Sequence, residues 1–510
     1  MFFMMNHLVN GNGSGNGGSH GNGTGQPATR PKPELTDAQH SAPPSDLWEP
    51  QVSFQAAGQV ALRGTPLRIL RHSVVFELYN PMVMPQVSEV FNDFKIKLPQ
   101  GAGYAGRAVM RSVVNTDIKT ICEATLEEQS WPVLAAGENG INAGLVQAEF
   151  RGLIQNWQKF YRVSPAYKEV IADLHSFMTD LRSWLDRVEL RIRALPAADR
   201  AKVEMDTAQG LRDSVLGSMN GLFDRFEVAS NEIEEEFLPA HRAFGQRLLH
   251  PFMLSSPFLR RTYTKPLGYA GDYEMMNMIV RNQLEGDSLF GKFANAYLLA
   301  QAAPQAVRNR VDFLRGKIIE ETGRLARQGQ RAKISSIACG PAWEAVTFLA
   351  DHPLASHAQF QLLDFDAETL QHTTDKVAEA KRKSGCRATV NLVKNSVQSL
   401  LRSNNRAVPE DAKFDLIYCS GLYDYLSDQV CRALNNYFYN LLRPGGLLVV
   451  GNFAPNTPHQ NIMEHFAEWF LIYRDAGQLT ELAPDQAARE NCFVRAEPTG
   501  ANIFLEIRKP

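Results

Sequence analysis

Small residues at a strand-to-helix turn, followed roughly 20 residues later by a carboxylate at a second strand tip, form the pattern best suited to chemistry in this chain. The run Lys333 to Ala338 reads as a strand. It feeds Cys339-Gly340-Pro341-Ala342-Trp343-Glu344, where a helix starts. Such a turn brings main chain close to a nucleotide, and small residues are needed at the contact. Ala338, Gly340 and Ala342 supply them at two-residue spacing, but only the middle one is glycine. A dinucleotide pyrophosphate depends on the closer approach of a GxGxxG turn, so a nucleoside without phosphate fits this turn better. Phe360 to Leu363 is a second apolar run and ends in Asp364. A carboxylate there can accept both ribose hydroxyls of an adenosine. Asp366 reads instead as the N-cap of the next helix, Ala367 to Lys383.

Three more strand ends bring polar groups to the same edge. Thr389 to Lys394 delivers Asn395 and Ser396, suited to an adenine edge. Phe414 to Cys419 delivers Ser420, Gly421 and the run Leu422-Tyr423-Asp424-Tyr425. Leu447 to Val450 follows the turn Arg443-Pro444-Gly445-Gly446 and delivers Gly451 and Asn452. In an open parallel sheet, ligands sit at the carboxyl ends of the strands, where these groups fall.

Positioning them requires strands and helices to alternate from Lys333 onward, the order of a doubly wound parallel sheet. Cys492 to Ala496 and Ile503 to Ile507 flank Pro498-Thr499-Gly500 and read as a closing antiparallel hairpin, giving seven strands in all. Upstream the texture changes twice. Residues 51–135 read as a small β-barrel, with apolar runs Ile69 to Leu78, Phe91 to Leu98, Tyr104 to Val114 and Thr120 to Leu126 between turn signals. Residues 142–262 read as a helical bundle. Ala166 to Ala194 and Ala198 to Glu236 carry apolar residues at three- and four-residue spacing, and the charged run Asn231 to Glu236 reads as a solvated helix face. Residues 263–330 read as a helical lead-in and lid, and 331–510 as the α/β domain. The Gly-, Asn-, Ser- and Pro-rich stretch 1–50 buries too little apolar surface to offset its ordering entropy and reads as a disordered tail. The whole is a multidomain α/β chain.

Bulk properties narrow the partners. The chain has 510 residues and a net charge of -2, which gives no global attraction to nucleic acid or anionic membrane. No apolar run approaches the length of a membrane span. The six cysteines form no CxxC or other metal-ligand spacing, so neither a metal site nor disulfides are expected, and a cytoplasmic location follows. Long amphipathic helices suit a homodimer and equally a closed monomeric bundle.

A seven-stranded plan of this kind without phosphate-binding glycines resembles the class I methyltransferases that use S-adenosylmethionine (SAM). Three segments sharpen that resemblance: Thr264-Lys265-Pro266-Leu267-Gly268-Tyr269-Ala270-Gly271-Asp272-Tyr273-Glu274, then IACGPAWE, then GNFAPNTPHQNIMEHFAEWFLIYRD. They look like a bacterial family that includes makers of 3-hydroxypalmitic acid methyl ester, an extracellular signal of the quorum-sensing type. The barrel region resembles a degenerate PilZ-type domain. Its nearest match to an RxxxR pair is Arg68 and Arg71, one residue short, with no clear second motif, so cyclic di-GMP is not expected.

The resemblance implies a SAM-dependent carboxyl methyltransferase acting on a small or 3-hydroxy fatty acid. Ala338, Gly340, Ala342, Asp364, Asn395, Ser396, Ser420 and Tyr273 would hold the cofactor. Tyr269, Tyr423, Asn452 and His465 would orient the acceptor. A carboxylate is already ionised at neutral pH and needs no strong base. A hydroxyl or amine acceptor would need one, which His465 or Asp424 would supply. Two other readings stay open: methylation of a protein side chain or another metabolite, and a non-catalytic regulator that keeps the fold as a nucleotide-sensing scaffold.

Overall fold

In a computed structural model, six strands, β1 (Gln51–Ala56), β2 (Val60–Ile69), β3 (Ser73–Tyr79), β4 (Val90–Lys97), β5 (Tyr104–Asn115) and β6 (Lys119–Leu126), close into an antiparallel barrel of order β1-β2-β3-β6-β5-β4. Closure follows from alternation. Phe54 of β1, Phe76 of β3 and Phe91 and Phe94 of β4 are buried in the barrel core, with Phe54 and Phe94 stacked at 5.3 Å. Each such ring contributes about 1.5–3 kcal/mol when fully buried. The run Ile69 to Leu78 is not one strand. Leu70 N–H donates to the Ser73 carbonyl at 2.8 Å, and the polar Arg71-His72 pair turns the chain between β2 and β3. The structure describes residues 50–510 apart from 57–59, 80–83, 99–102, 116–118, 128–130, 132–143, 145–146, 148–149, 152–153, 155–162, 403–408 and 456. The expected tail, save residue 50, and most of the first 21 residues of the expected helical bundle therefore lie outside the described residues.

Helices follow. α1 (Pro165–Arg193) starts at Ser164, whose hydroxyl accepts from Tyr167 N–H, and α2 (Ala197–Asn231) runs back along it after a short turn. The expected helix to Glu236 ends early, at Asn231. The charged run is exposed, but it is a helix end and not a helix face. Glu232, Glu234, Glu235 and Glu236 would add like charge where the helix dipole is already negative. Pro239 then fits the first turn of a new helix, α3 (Leu238–Met253), where its missing N–H does no harm. α4 (Pro257–Thr264), α5 (Tyr273–Arg281), α6 (Leu289–Leu299) and α7 (Ala302–Ala326) lead into the sheet.

The sheet has seven strands: β7 (Ala332–Ile337), β8 (Ala358–Asp364), β9 (Thr389–Lys394), β10 (Phe414–Ser420), β11 (Leu442–Phe453), β12 (Cys492–Ala496) and β13 (Asn502–Arg508). Their order is β12-β13-β11-β10-β7-β8-β9, with β7 to β11 parallel and β13 antiparallel to both neighbours. This is the doubly wound class I methyltransferase arrangement. The expected turn 443–446 is a bulge inside β11, where pairing with β10 jumps from Leu442 to Leu447. It is held by Gly445 and Gly446 pairing with Lys509. α8 (Trp343–Asp351), α9 (Ala367–Ser384), α10 (Val397–Arg402) and α11 (Asp428–Asn440) cross between strands, and α12 (Gln460–Phe466) follows β11.

The helical layer shares its core with the segment after β11. Phe226 of α2 packs on Phe466 at 5.1 Å, and Trp469 and Leu471 join the same buried cluster. The barrel meets the segment after α12 through Val87, Val90, Val109 and Phe470.

Candidate active site

The carboxyl ends of β7, β8, β9 and β10 open into one cavity of about 670 Å3. After β7 the chain turns through Ala338, Gly340 and Ala342, with φ of 52°, 52° and 50°. Left-handed backbone costs an L-residue with a Cβ about 1–2 kcal/mol, so two alanines here hold strain. Neighbours enforce it. Cys339 N–H donates to the Leu363 carbonyl at 2.9 Å, and Thr373 donates to the Gly340 carbonyl at 2.8 Å. Gly340 N–H donates to Asp364 Oδ2 at 3.0 Å. Asp364 Oδ1 accepts from Asp366 N–H at 3.1 Å. Burial raises the Asp364 carboxyl, and these N–H groups pull it back. An ionised carboxylate has about four acceptor positions, and with Phe365 N–H also acting on Asp364, one remains for a ligand.

Asp366 caps α9 through Thr369 N–H at 2.7 Å, as its position suggested, which leaves Asp364 to face the cavity. Asn395 and Ser396 follow β9, and Ser420 ends β10; all three line the cavity. All eight expected cofactor residues line it, including Tyr273, whose hydroxyl donates to Glu368 at 2.7 Å.

The loop between α4 and α5 forms one wall of the cavity. Lys265, Gly268 and Gly271 have φ of 46°, 86° and 80°, and Asp272 stops the loop by capping α5. The Tyr269 ring lies 5.1 Å from that of Phe365, and burial pushes its phenol up. Tyr425 accepts from Trp469 Nε1 at 2.7 Å, and a Cβ on Gly271 would lie 3.2 Å from the Tyr425 oxygen, so glycine permits this approach. Trp343 donates to Asn277 at 2.8 Å, which fixes its indole at the rim.

Of the four expected acceptor-orienting residues, Tyr269 lines the cavity and the other three do not. Tyr423 donates to Asn435 of α11 at 2.6 Å. Asn452 is spent on structure: its amide donates to the Ile472 carbonyl and its oxygen accepts from Arg474 at 2.7 Å. His465 faces α1, with Nδ1 3.0 Å from the Tyr167 hydroxyl, and burial drives its imidazole well below the usual range. Tyr423 follows β10, Asn452 is near the end of β11 and His465 is on α12, but each side chain packs inward.

Three charged residues complete the site. Arg310 of α7 is buried with Nη2 3.7 Å from Met276 Sδ, and burial lowers its guanidinium against the pull of Asp424 and Glu344. Glu344, in the first turn of α8, accepts from Tyr418 at 2.9 Å and is raised by burial. Asp424 accepts from Phe453 N–H at 2.7 Å, and burial pushes it up to about 6. Arg310 had no motif to reveal it, being one arginine among several on an amphipathic helix. Among the described residues lining the cavity, Arg310 is the single Arg or Lys, against Glu89, Glu344, Asp364 and Asp424. Among the described residues there is no cluster of three metal-capable side chains and no helix long and apolar enough to cross a membrane.

No family model and no curated protein matches the chain. Solved structures do. A candidate exported protein from Bordetella parapertussis aligns over 53% of this chain and 88% of its own at 20% identity and a TM-score of 0.40. Magnesium protoporphyrin IX methyltransferase from Synechocystis PCC 6803, with bound S-adenosylhomocysteine (SAH), aligns over 49% of this chain and 98% of its own at 14% identity and a TM-score of 0.33. The N-methyltransferase NodS from Bradyrhizobium japonicum WM9, in complex with SAH, aligns over 38% of this chain and 86% of its own at 16% identity and a TM-score of 0.25. The strand order and registers of the sheet itself define the fold.

Proposed function

We propose that the chain is a SAM-dependent methyltransferase acting on a small acceptor. One observation carries this reading: Asp364, at the tip of β8, is tied to the left-handed turn after β7 and keeps an acceptor position facing the cavity. Asp364 would take a ribose hydroxyl, Asn395 and Ser396 the adenine edge, and Arg310 the amino-acid carboxylate. A cavity with one arginine and four acids suits a sulfonium cofactor and opposes a phosphate-bearing one. SAM supplies a methyl group already activated on positive sulfur. The protein's task is then alignment and, for some acceptors, removal of a proton.

Asp424 favours an acceptor that must lose that proton. The acceptor's oxygen or nitrogen would take the methyl group that SAM would supply, and its proton would pass to the Asp424 carboxylate. A base with a pKa near 6 is suited to this at neutral pH. The fatty-acid carboxylate implied by the family resemblance is the second reading. It needs no base, and Arg310 is the feature in its favour, but that arginine would also have to serve the cofactor's carboxylate.

The test is calorimetric titration of the protein with SAM and SAH, alongside Asp364→Ala. Binding by the wild type that is lost in the variant supports the reading. A well-folded wild type that binds neither ligand overturns it.

A further inference from the structure

The barrel reaches the same cavity. Ala56 at the end of β1 and Met84, Val87 and Val90 before and at the start of β4 line it, with Gln86 and Glu89 beside them. This stretch is pinned from two sides. The Ser88 hydroxyl donates to the Phe470 carbonyl at 2.8 Å and accepts from Phe470 N–H at 2.6 Å, and Ser88 itself holds a left-handed φ of 64°. Val90 N–H donates to the Gly268 carbonyl at 2.8 Å, joining the barrel to the loop between α4 and α5. Below the contact, Arg107 of β5 reaches the buried Glu468 at 2.9 Å and the Tyr263 carbonyl at 2.6 Å. The apolar cluster of Val87, Val90, Val109 and Phe470 fills the space between. A barrel joined only as an independent module would not bury hydrogen-bonded and ionic partners at its seam.

Its place in the cavity follows from the fold. The groups suited to the cofactor lie at the strand ends of the sheet. The barrel reaches the cavity beside the loop 265–272 and the segment after α12, which it touches at Gly268 and Phe470. The groups suited to the cofactor come from the sheet, which leaves the barrel's wall to face the acceptor. Among the described residues, the barrel's lining sets Gln55, Gln86 and Glu89 beside its apolar side chains and holds no lysine or arginine.

We propose, building on the methyltransferase reading, that the barrel is the acceptor-side wall of the active site and selects an acceptor with an apolar flank and a neutral or cationic head group. The apolar flank lies along Ala56, Met84, Val87 and Val90. The head points toward Asp424, where Glu89, Glu344 and Asp424 disfavour an anion. The barrel is in this sense a substrate-recognition element of the enzyme.

The test uses the full chain saturated with SAH and titrates it calorimetrically with octylamine, 1-octanol and octanoate, which share a tail and differ in the head. Gln86→Trp fills the wall from an exposed position, and thermal melting checks that it folds. Wild type is expected to bind octylamine or 1-octanol at least about tenfold more tightly than octanoate, a difference of about 1.4 kcal/mol. Gln86→Trp is expected to weaken that binding at least about tenfold while SAH affinity stays within about threefold. Octanoate binding as tightly as the others overturns the head-group assignment. Equal octyl binding by wild type and Gln86→Trp, or no octyl binding to the SAH complex, overturns the wall. Failure of SAH itself to bind wild type removes the methyltransferase reading and this inference with it.

Discussion

Gly340 N–H donates to Asp364 Oδ2 at 3.0 Å, so the tips of β7 and β8 are joined by the group proposed to hold the cofactor. The carboxylate fixes the turn and faces the cavity at once. Asp364→Ala is therefore expected to lower SAH affinity by at least about tenfold, since hydrogen bonds to a charged group contribute about 1.5–3 kcal/mol each. Asp364→Asn keeps an oxygen for Gly340 and should retain more affinity than alanine. Calorimetry on both variants checks this; equal affinity in wild type and Asp364→Ala would exclude the assignment.

Asp424 sets a pH expectation. Its carboxyl is raised to about 6 by burial, so it is protonated below that pH and able to take a proton above it. With a hydroxyl or amine acceptor, kcat/KM should fall about tenfold per unit as pH drops below 6, with a one-proton limb. Asp424→Asn should lose about 10²–10⁴-fold in rate and abolish that limb. A pH–rate profile flat through 6 would favour a carboxylate acceptor instead.

Tyr423 separates packing from chemistry. Its hydroxyl is buried on Asn435 and does not line the cavity. Tyr423→Phe should cost about 1–3 kcal/mol of stability through the unsatisfied Asn435 oxygen. SAH affinity should stay within about threefold. A large affinity loss at unchanged melting temperature would place Tyr423 in the site after all.

Glu468 anchors the seam between barrel, helices and sheet. Burial alone would raise its carboxyl, but Arg107 and Lys265 hold it down at about 2. A carboxylate depressed on folding contributes stability that is present above its unfolded value of 4.5 and is lost as pH falls toward 2. Glu468→Gln leaves Lys265 buried without its counter-charge and Arg107 with Glu127 alone, 3.3 Å away, and should cost about 3–5 kcal/mol. Chemical denaturation of wild type and variant between pH 7 and 3 tests it. The gap should narrow toward the acid end, and a constant gap would rule the linkage out.

The strand tips were legible because they are local. Strands β7 to β10 end where an apolar run meets small or polar residues, and a one-residue error hardly moves the tip. Asp366 could be separated from Asp364 because an N-cap has its own position relative to the helix it starts. The break after Asn231 was hidden, because helical spacing continues through the charged run while Pro239 and the helix dipole decide where the helix stops.

The sequence by itself determined the alternation of elements, the left-handed turn's small residues and the carboxylate that follows, because each depends on neighbours a few positions away. Only the tertiary structure decided which polar residues at those strand ends face the cavity. Tyr423, Asn452 and His465 sit beside the right elements, yet their side chains are turned to α11, Arg474 and α1. It also decided that Arg310 and the barrel's Met84 to Val90 stretch meet Asp364 across one cavity. The physical reason is packing. A side chain's direction at a turn, and the approach of two segments hundreds of residues apart, are set by which faces bury each other, and no periodicity within either segment encodes that choice.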